Sequence, residues 1–189
     1  MLKKESKVKR MNRKPEPKWA FKMMSLIHDN PLRRNFTDPY KTLKAAGLKP
    51  GQKVLEIGCG PGFFTIPAAK IVGEKGTVYA LDIHPLAMES VQEKIRKEGI
   101  KNVKTILADA SQTHLPDQSM DLAFLFGIVH SINEILEAVM AELYRVLKPG
   151  GILSIKTHAS EKKLAELIER KGFIYSENRE GIFLFKKRV

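Results

Sequence analysis

The feature that most constrains the fold is a short apolar segment that ends in three alternating glycines. Residues 53–57 are Lys-Val-Leu-Glu-Ile, apolar apart from Lys53 and Glu56, and Gly58, Gly60 and Gly62 follow directly. The segment predicts a short buried strand, and residues 63–72 predict the helix that comes next. A strand, a glycine turn and a helix mark the crevice of an open α/β sheet. We expect the three glycines to remove every β-carbon from one side of the turn, so that a ligand can rest on the backbone beside the positive end of a helix.

Three further segments follow at regular intervals. Residues 77–82 and 103–109 predict two more strands, each ending in an acid, Asp82 and Asp109. Residues 143–151, which include a Leu-Lys-Pro-Gly-Gly segment, end a predicted helix and turn sharply into a strand at 152–155. These four motifs, in this order, resemble those of the class I S-adenosylmethionine (SAM) methyltransferases, over roughly residues 30–189. Glu56 and the glycine triplet match the first motif of that family in full.

The resemblance implies an α/β fold with a Rossmann-like, seven-stranded sheet, mostly parallel, with a C-terminal antiparallel hairpin and helices on both faces. It also implies SAM as cofactor and S-adenosyl-L-homocysteine as product. Asp82 would accept hydrogen bonds from the ribose diol, Asp109 would contact the adenine amine, and Glu56 would act at the methionine end. The cofactor-binding residues implied in this way are Glu56, Gly58, Cys59, Gly60, Gly62, Asp82, Ile83, Asp109, Ala110 and Phe126. The alternative for Asp82 and Asp109 is N-capping of a following helix.

A nicotinamide-dependent enzyme is the main rival, because glycine-rich turns also bind dinucleotides. The glycines here are spaced two and two, whereas the dinucleotide fingerprint needs two and three. No residue supplies a phosphate clamp, and 189 residues leave no room for a separate substrate domain. These observations favour SAM.

Candidate catalytic residues follow the fourth predicted strand, residues 120–126, and the fifth, residues 152–155. The family's Asn/Asp-Pro-Pro-Tyr motif for amine methylation is absent at 126–130, where His130 stands as a candidate general base. His158, after the fifth strand, is the second candidate, and alignment of the reactants alone is the alternative to either. His84 follows Asp82 closely enough to touch the cofactor. A nucleophilic role for Cys59 is disfavoured, because the glycine turn needs small residues.

The excess positive charge lies at the N-terminus. Residues 1–50 hold fourteen Lys and Arg against four acids, a net charge of +10, whereas the other 139 residues have a net charge of +2. We expect a basic flexible tail at 1–16, an N-terminal helical or lid segment at 17–50 and the methyltransferase domain at 51–189. The tail could be solvated, which is the default, or bind RNA phosphates or an anionic membrane. Within 17–50, Trp19, Met23, Leu26 and Ile27 recur at helical spacing and predict an amphipathic helix that either closes the pocket or packs on the core.

Composition excludes several other classes. One cysteine rules out an internal disulfide, and no Cys/His cluster has metal-ligand spacing. The longest apolar run, 122–129, is too short to span a bilayer, and we expect a cytoplasmic protein. The sequence therefore predicts a SAM-dependent methyltransferase of a small acceptor, anionic or lipid-like, resembling the ubiquinone/menaquinone type. An RNA methyltransferase and a non-catalytic SAM-binding protein are the alternatives, and the oligomeric state is open.

Overall fold

The structure of the protein is a computed structural model that describes residues 15–29, 37–129, 135–157 and 161–189. Among these described residues, six helices form: α1 (Lys18–Asp29), α2 (Pro39–Ala45), α3 (Thr65–Val72), α4 (Pro85–Lys97), α5 (Leu136–Val146) and α6 (Glu161–Glu169). Seven strands form: β1 (Lys53–Ile57), β2 (Thr77–Asp82), β3 (Val103–Leu107), β4 (Met120–Phe126), β5 (Leu147–Lys156), β6 (Phe173–Arg179) and β7 (Ile182–Lys187).

The strands form one sheet in the order β3-β2-β1-β4-β5-β7-β6. The first five strands are parallel, and β7 pairs antiparallel with both β5 and β6. The strand order reverses between β1 and β4, and an open α/β sheet binds its ligand at such a reversal. The predicted fold class, a mostly parallel seven-stranded sheet with a C-terminal antiparallel hairpin, is confirmed.

Helices cover both faces of the sheet. Successive side chains of each strand point to opposite faces and so enter two different cores. Leu55 and Ile57 of β1 belong to a core that includes side chains of α5 and α6, whereas Val54 belongs to a second core with side chains of α2 and α3. Glu56 leaves β1 on the same face as Val54, and it bonds to Thr65 of α3. The strand that precedes the glycines is therefore buried on both faces, as its continuous apolar sequence predicts.

Residues 143–151, which the sequence predicts to end a helix and turn into a strand, do contain the end of α5. Helix α5 ends at Val146, and Leu147 already pairs with Met120 at the start of β5. The register between β4 and β5 then shifts before Leu122 pairs with Ile152. The predicted helix end is therefore confirmed, whereas β5 begins at Leu147 and not at 152, because the proline and glycines form an irregular stretch of this strand.

The N-terminal helix is present, but its apolar stripe does not pack on the core. Trp19, Met23 and Leu26 are exposed, and Phe21, which lies off that stripe, is the buried aromatic residue. Further along the predicted helical segment, Leu43 is fully buried in the core together with its neighbour Ala46. Residues 1–14, which make up most of the predicted basic tail, lie outside the described residues. The domain boundaries at 16 and 50 stay predictions.

Candidate functional site

The candidate site lies where β1 and β2 end, beside the reversal of strand order. The glycine loop, residues 58–62, follows β1 directly. The N–H groups of Gly58 and Cys59 both donate to the carbonyl oxygen of Leu81 in β2, at 2.8 and 3.0 Å. Parallel strands place their carboxyl ends at one edge of the sheet, so the loop and the acid that ends β2 are neighbours there.

The glycines of this loop are required by backbone conformation. Gly58, Gly60 and Gly62 have φ of 73°, 51° and 90°, in the left-handed region that favours glycine. A β-carbon on Gly58 would lie 2.8 Å from Cγ2 of Ile128, and one on Gly62 would lie 3.1 Å from Cγ2 of Val91. Protein side chains therefore fill the space at two of the three positions. This differs from the expectation of three bare positions facing a ligand, because each residue of the turn points in a different direction.

Glu56 is a buried acid immediately before the loop, with only 2% of its surface exposed. Its Oε2 accepts a hydrogen bond of 2.6 Å from the Thr65 hydroxyl. Desolvation by burial raises the pKa of Glu56 from 4.5 to about 8, against the lowering effect of the Thr65 bond, and the negative charge of Asp82 adds to the rise. The carboxyl group therefore holds its proton near neutral pH. It would release that proton if a cationic group came to lie beside it.

Asp82, at the end of β2, supports the loop directly. Its Oδ2 accepts a hydrogen bond of 2.9 Å from the N–H of Gly60, and its Oδ1 accepts one of 2.8 Å from the N–H of His84. Each carboxylate oxygen keeps capacity for a second donor, such as a hydroxyl of a ribose diol. The capping alternative is wrong for Asp82, because the N-cap of α4 is His84, whose Nδ1 accepts from the N–H of Leu86.

Asp109 lies two residues after β3 and has one oxygen without a partner. Its Oδ1 accepts from the N–H of Ser111 at 2.8 Å and from its hydroxyl at 2.6 Å. Its Oδ2 is buried and has no hydrogen-bond partner in the part of the chain that the structure describes. No helix begins in residues 110–119, all of them described, so helix capping does not explain Asp109 either. A buried acceptor without a donor is costly, and an amine N–H of a ligand would satisfy it.

The other implied cofactor residues next to the three acids contribute through the backbone or by packing. The Cys59 thiol is buried in an apolar cluster with Phe21 and Met88. Burial raises the pKa of this thiol well above its usual value, so it is unsuited to act as a nucleophile. Ala110 is also buried in the core, and Ile83 is half-buried between Asp82 and His84.

Phe126, at the end of β4, belongs to an aromatic cluster on the other side of the glycine loop. Its ring lies 5.0 Å from that of Phe64, which in turn lies 4.9 Å from the ring of Phe63. All three rings are only half-buried. Phe126 pairs in register with Lys156 of β5, so both side chains leave the sheet on one face. The edge of β4 therefore offers an apolar, aromatic surface with a cation near it.

The two predicted catalytic histidines, His130 and His158, lie outside the described residues and stay predictions. His84 has a role that the sequence did not reveal. Its ring caps α4, its Nε2 lies 2.9 Å from the carbonyl oxygen of Glu16, and it stacks on Phe21 at a centroid distance of 4.5 Å. Residue spacing cannot indicate this role, because Glu16 is 68 positions away in the chain.

Sequence reasoning also missed the side chains that hold the glycine loop from α4. The Ser90 hydroxyl and the Lys94 ammonium both donate to the carbonyl oxygen of Pro61, at 3.1 and 2.8 Å. These residues lie about thirty positions after the loop, in a helix without an unusual motif. The loop is thus held by Asp82 and by two side chains of α4, and these bonds pre-organise it for a ligand.

These residues fit SAM. The orphaned oxygen of Asp109 suits an adenine amine, Asp82 suits a ribose diol, and the buried Glu56 suits a neighbouring cation. Among the described residues, no group of His, Cys, Asp and Glu side chains could hold a metal ion. None of the described helices is long and apolar enough to cross a membrane.

Comparison with known proteins identifies the family of the chain. A family model described as "Methyltransferase domain" matches residues 48–184. The crystal structure of a SAM-dependent methyltransferase from Aquifex aeolicus is 30% identical and has a TM-score of 0.78. The match covers 93% of this chain and all of that one.

Two curated relatives match over a shorter stretch. The ubiquinone/menaquinone biosynthesis C-methyltransferase UbiE of Shewanella pealeana is 38% identical over 116 residues, which cover 60% of this chain and 45% of the relative. The demethylmenaquinone methyltransferase of Geobacillus stearothermophilus is 32% identical over 120 residues, which cover 64% and 51%. The chain thus spans about half the length of these curated relatives.

Proposed function

The chain belongs to the methyltransferase domain family of SAM-dependent enzymes, and we propose that it transfers a methyl group from SAM to a carbon atom of a small, lipid-like acceptor of the quinone type. The predicted recognition as a class I SAM methyltransferase is confirmed, and so is SAM as cofactor. The acceptor, its reacting atom and the site residues are the parts that we propose.

The observation that carries the proposal is the unpartnered Oδ2 of Asp109, at the same edge as Asp82 and the glycine loop. Within the described residues, Asp109 uses only one of its two oxygens. A carboxylate oxygen held in this way is a directed acceptor, and the adenine amine of SAM is a donor of matching chemistry. Asp82 would hold the ribose while it keeps its bonds to Gly60 and His84.

When bound, SAM supplies a methyl group on a positively charged sulfur, which moves to the acceptor by in-line displacement. The residues of this chain would orient the reactants and exclude water, and alignment of this kind can supply much of the acceleration. Glu56, buried and protonated near neutral pH, would lose its proton to solvent as the cationic methionine end binds. His130 or His158 would take a proton from the acceptor carbon, as the sequence predicts.

The acceptor would enter over the aromatic cluster of Phe63, Phe64 and Phe126. Half-buried aromatic rings suit a planar, apolar ring, and Lys156 on the same face suits an oxygen anion on that ring. The names of the two curated relatives point to the same class, since both refer to quinone methylation and neither refers to RNA. A cytoplasmic location stays a prediction.

The experiment that tests this function follows the methyl group. The full chain is incubated with methyl-labelled SAM and a fractionated cell extract, and label is counted in lipid-extractable, water-soluble, RNA and protein pools. We expect the label in the lipid-extractable pool, on a quinone ring by mass spectrometry. Label in RNA would replace the proposal by the RNA alternative, and SAM binding without transfer to any pool would favour a non-catalytic SAM-binding protein.

A further inference from the structure

Helix α1 presents a stripe of large apolar side chains to solvent. Trp19, Met23 and Leu26 are spaced i, i+4 and i+7, so they share one face of the helix, and they are 67%, 53% and 75% exposed. Single exposed apolar residues are common, whereas several together on one helix face mark an interaction surface. We refer to these three side chains as the α1 stripe.

The α1 stripe is exposed because the opposite face of the helix is anchored to the body. Phe21 is 6% exposed and stacks on the His84 ring, with an angle of 23° between the ring planes. Phe21 also packs in the apolar cluster that contains Cys59 of the glycine loop. At 100° per residue, Phe21 projects from the side of the helix opposite the stripe. The helix is therefore fixed beside the cofactor crevice with its apolar stripe pointing outward.

Positive charge flanks the α1 stripe. Lys18 and Lys22 are exposed, and helical geometry places both along one side of the stripe. The fourteen residues at the N-terminus, just before the described part of the chain, contain seven Lys and Arg and one Glu. Residues 51–189, by contrast, have a net charge of only +2. In the sequence, the basic excess of the protein is thus concentrated in the first fifty residues, which include α1.

We propose that α1 is a docking helix for an anionic lipid surface. Its three apolar side chains would enter the boundary between headgroups and acyl chains, while Lys18 and Lys22 would bind lipid phosphates. The proposal deepens the proposed function and rests on it in one respect. A lipid-like acceptor resides in the bilayer, and docking through α1 would bring the neighbouring cofactor crevice to the membrane surface.

Charge favours a lipid surface over a second copy of the chain as the occupant. Two copies that buried their α1 stripes against each other in a two-fold dimer would bring Lys18 and Lys22 of both copies together. The sequence of α1, KWAFKMMSLIHD, has one acid, Asp29, so cations would outnumber acids in such a contact. An anionic surface complements the same charges.

The chain carries its own reporter for this docking, because Trp19 is its only tryptophan. The full chain is titrated with vesicles of pure phosphatidylcholine and with vesicles that contain phosphatidylglycerol, and the emission maximum of Trp19 is recorded. We expect a shift to shorter wavelength with the anionic vesicles, and binding at least tenfold weaker to pure phosphatidylcholine. High salt should weaken the binding to anionic vesicles, because it screens surface charge.

Two variants identify the surface. Met23→Glu/Leu26→Glu keeps Trp19 and should weaken binding to anionic vesicles at least tenfold. Ile174→Glu is the matched control, since Ile174 is also exposed, at 49%, but lies on β6, and this variant should bind like the parent. All three substituted side chains are exposed, so the fold should be retained. Calorimetry with SAM on each variant checks this.

Three results would overturn the docking proposal. They are an unshifted Trp19 spectrum with anionic vesicles, equal vesicle binding by Met23→Glu/Leu26→Glu, and a blue shift that grows with protein concentration without lipid, which would identify a second copy as the occupant. The proposed function has a separate readout. If the parent protein binds SAM and methylates a detergent-dispersed acceptor but does not bind vesicles, the proposed function stands and only the docking proposal is refuted.

Discussion

Replacing Glu56 by glutamine should change how the stability of the protein depends on pH. Glutamine has nearly the same shape, and its amide oxygen can still accept the 2.6 Å hydrogen bond from Thr65. What the substitution removes is a carboxyl group whose pKa burial raises from 4.5 to about 8. Because the folded state binds this proton more tightly than the unfolded state, the contribution of Glu56 to stability is greatest below pH 4.5. It is lost progressively as the pH rises to about 8.

The size of the effect follows from this shift in pKa. Each pKa unit corresponds to about 1.4 kcal/mol, so between pH 5 and pH 8.5 the Glu56 carboxyl should cost the parent roughly 4 kcal/mol of unfolding free energy. The glutamine variant does not titrate and should not lose that amount. Other groups titrate equally in both proteins and cancel in the difference. The variant should therefore gain stability relative to the parent as the pH rises.

Urea unfolding of both proteins at pH 5 and at pH 8.5 measures this double difference. Glu89→Gln is the control, because Glu89 lies exposed on α4. That control should follow the pH dependence of the parent. Parallel stability curves for the parent and Glu56→Gln would refute the reasoning, since they would mean that the buried carboxyl has the same proton affinity in the folded and unfolded chains.

Three other substitutions test the loop and the chemistry. Asp82→Asn replaces one of the two acceptor oxygens by an NH₂ donor, which must then face the N–H of Gly60 or of His84. Because charge-assisted hydrogen bonds contribute about 1.5–3 kcal/mol each, calorimetry should show SAM binding at least tenfold weaker. Unchanged affinity would contradict the role of Asp82. Gly58→Ala should lower the urea midpoint more than Gly51→Ala. Both glycines have positive φ, but only at Gly58 would the new β-carbon meet Ile128. Equal decreases in the two urea midpoints would mean that the contact with Ile128 is unimportant. His130→Ala should lower turnover by about 10²–10⁴-fold and leave SAM affinity nearly intact, and a loss of only a few-fold would favour His158 or alignment alone.

Much of the fold and the first part of the site could be predicted from the sequence. The bounds of β1, β2 and β4 follow from short apolar runs that end in a glycine or an acid, since a buried parallel strand needs apolar side chains on both faces. Local patterns are sufficient for these strands, because their bounds depend on neighbours in the sequence. The hydrogen bond from Gly60 to Asp82, 22 positions apart, was not predicted.

The features that could not be predicted depend on contacts between distant segments. The period of Trp19, Met23 and Leu26 shows that they share a helix face, but it cannot indicate whether that face meets the core or the solvent. Phe21 decides the orientation by stacking on His84, sixty-three positions later. In the same way, the glycine spacing predicts a turn without β-carbons, whereas the side chain that fills the space at Gly58 belongs to Ile128, two residues after the end of β4.

The central claim is that the crevice beside the glycine loop binds SAM through the buried, unpartnered oxygen of Asp109. Asp109→Asn tests it directly, because an asparagine can keep both bonds to Ser111 through its oxygen and place its NH₂ group where Oδ2 lies. Calorimetric titration with SAM and with S-adenosyl-L-homocysteine should show at least tenfold weaker binding by the variant, with an unchanged urea midpoint. Equal affinities for the variant and the parent, or parent binding of NAD as strong as that of SAM, would contradict the account.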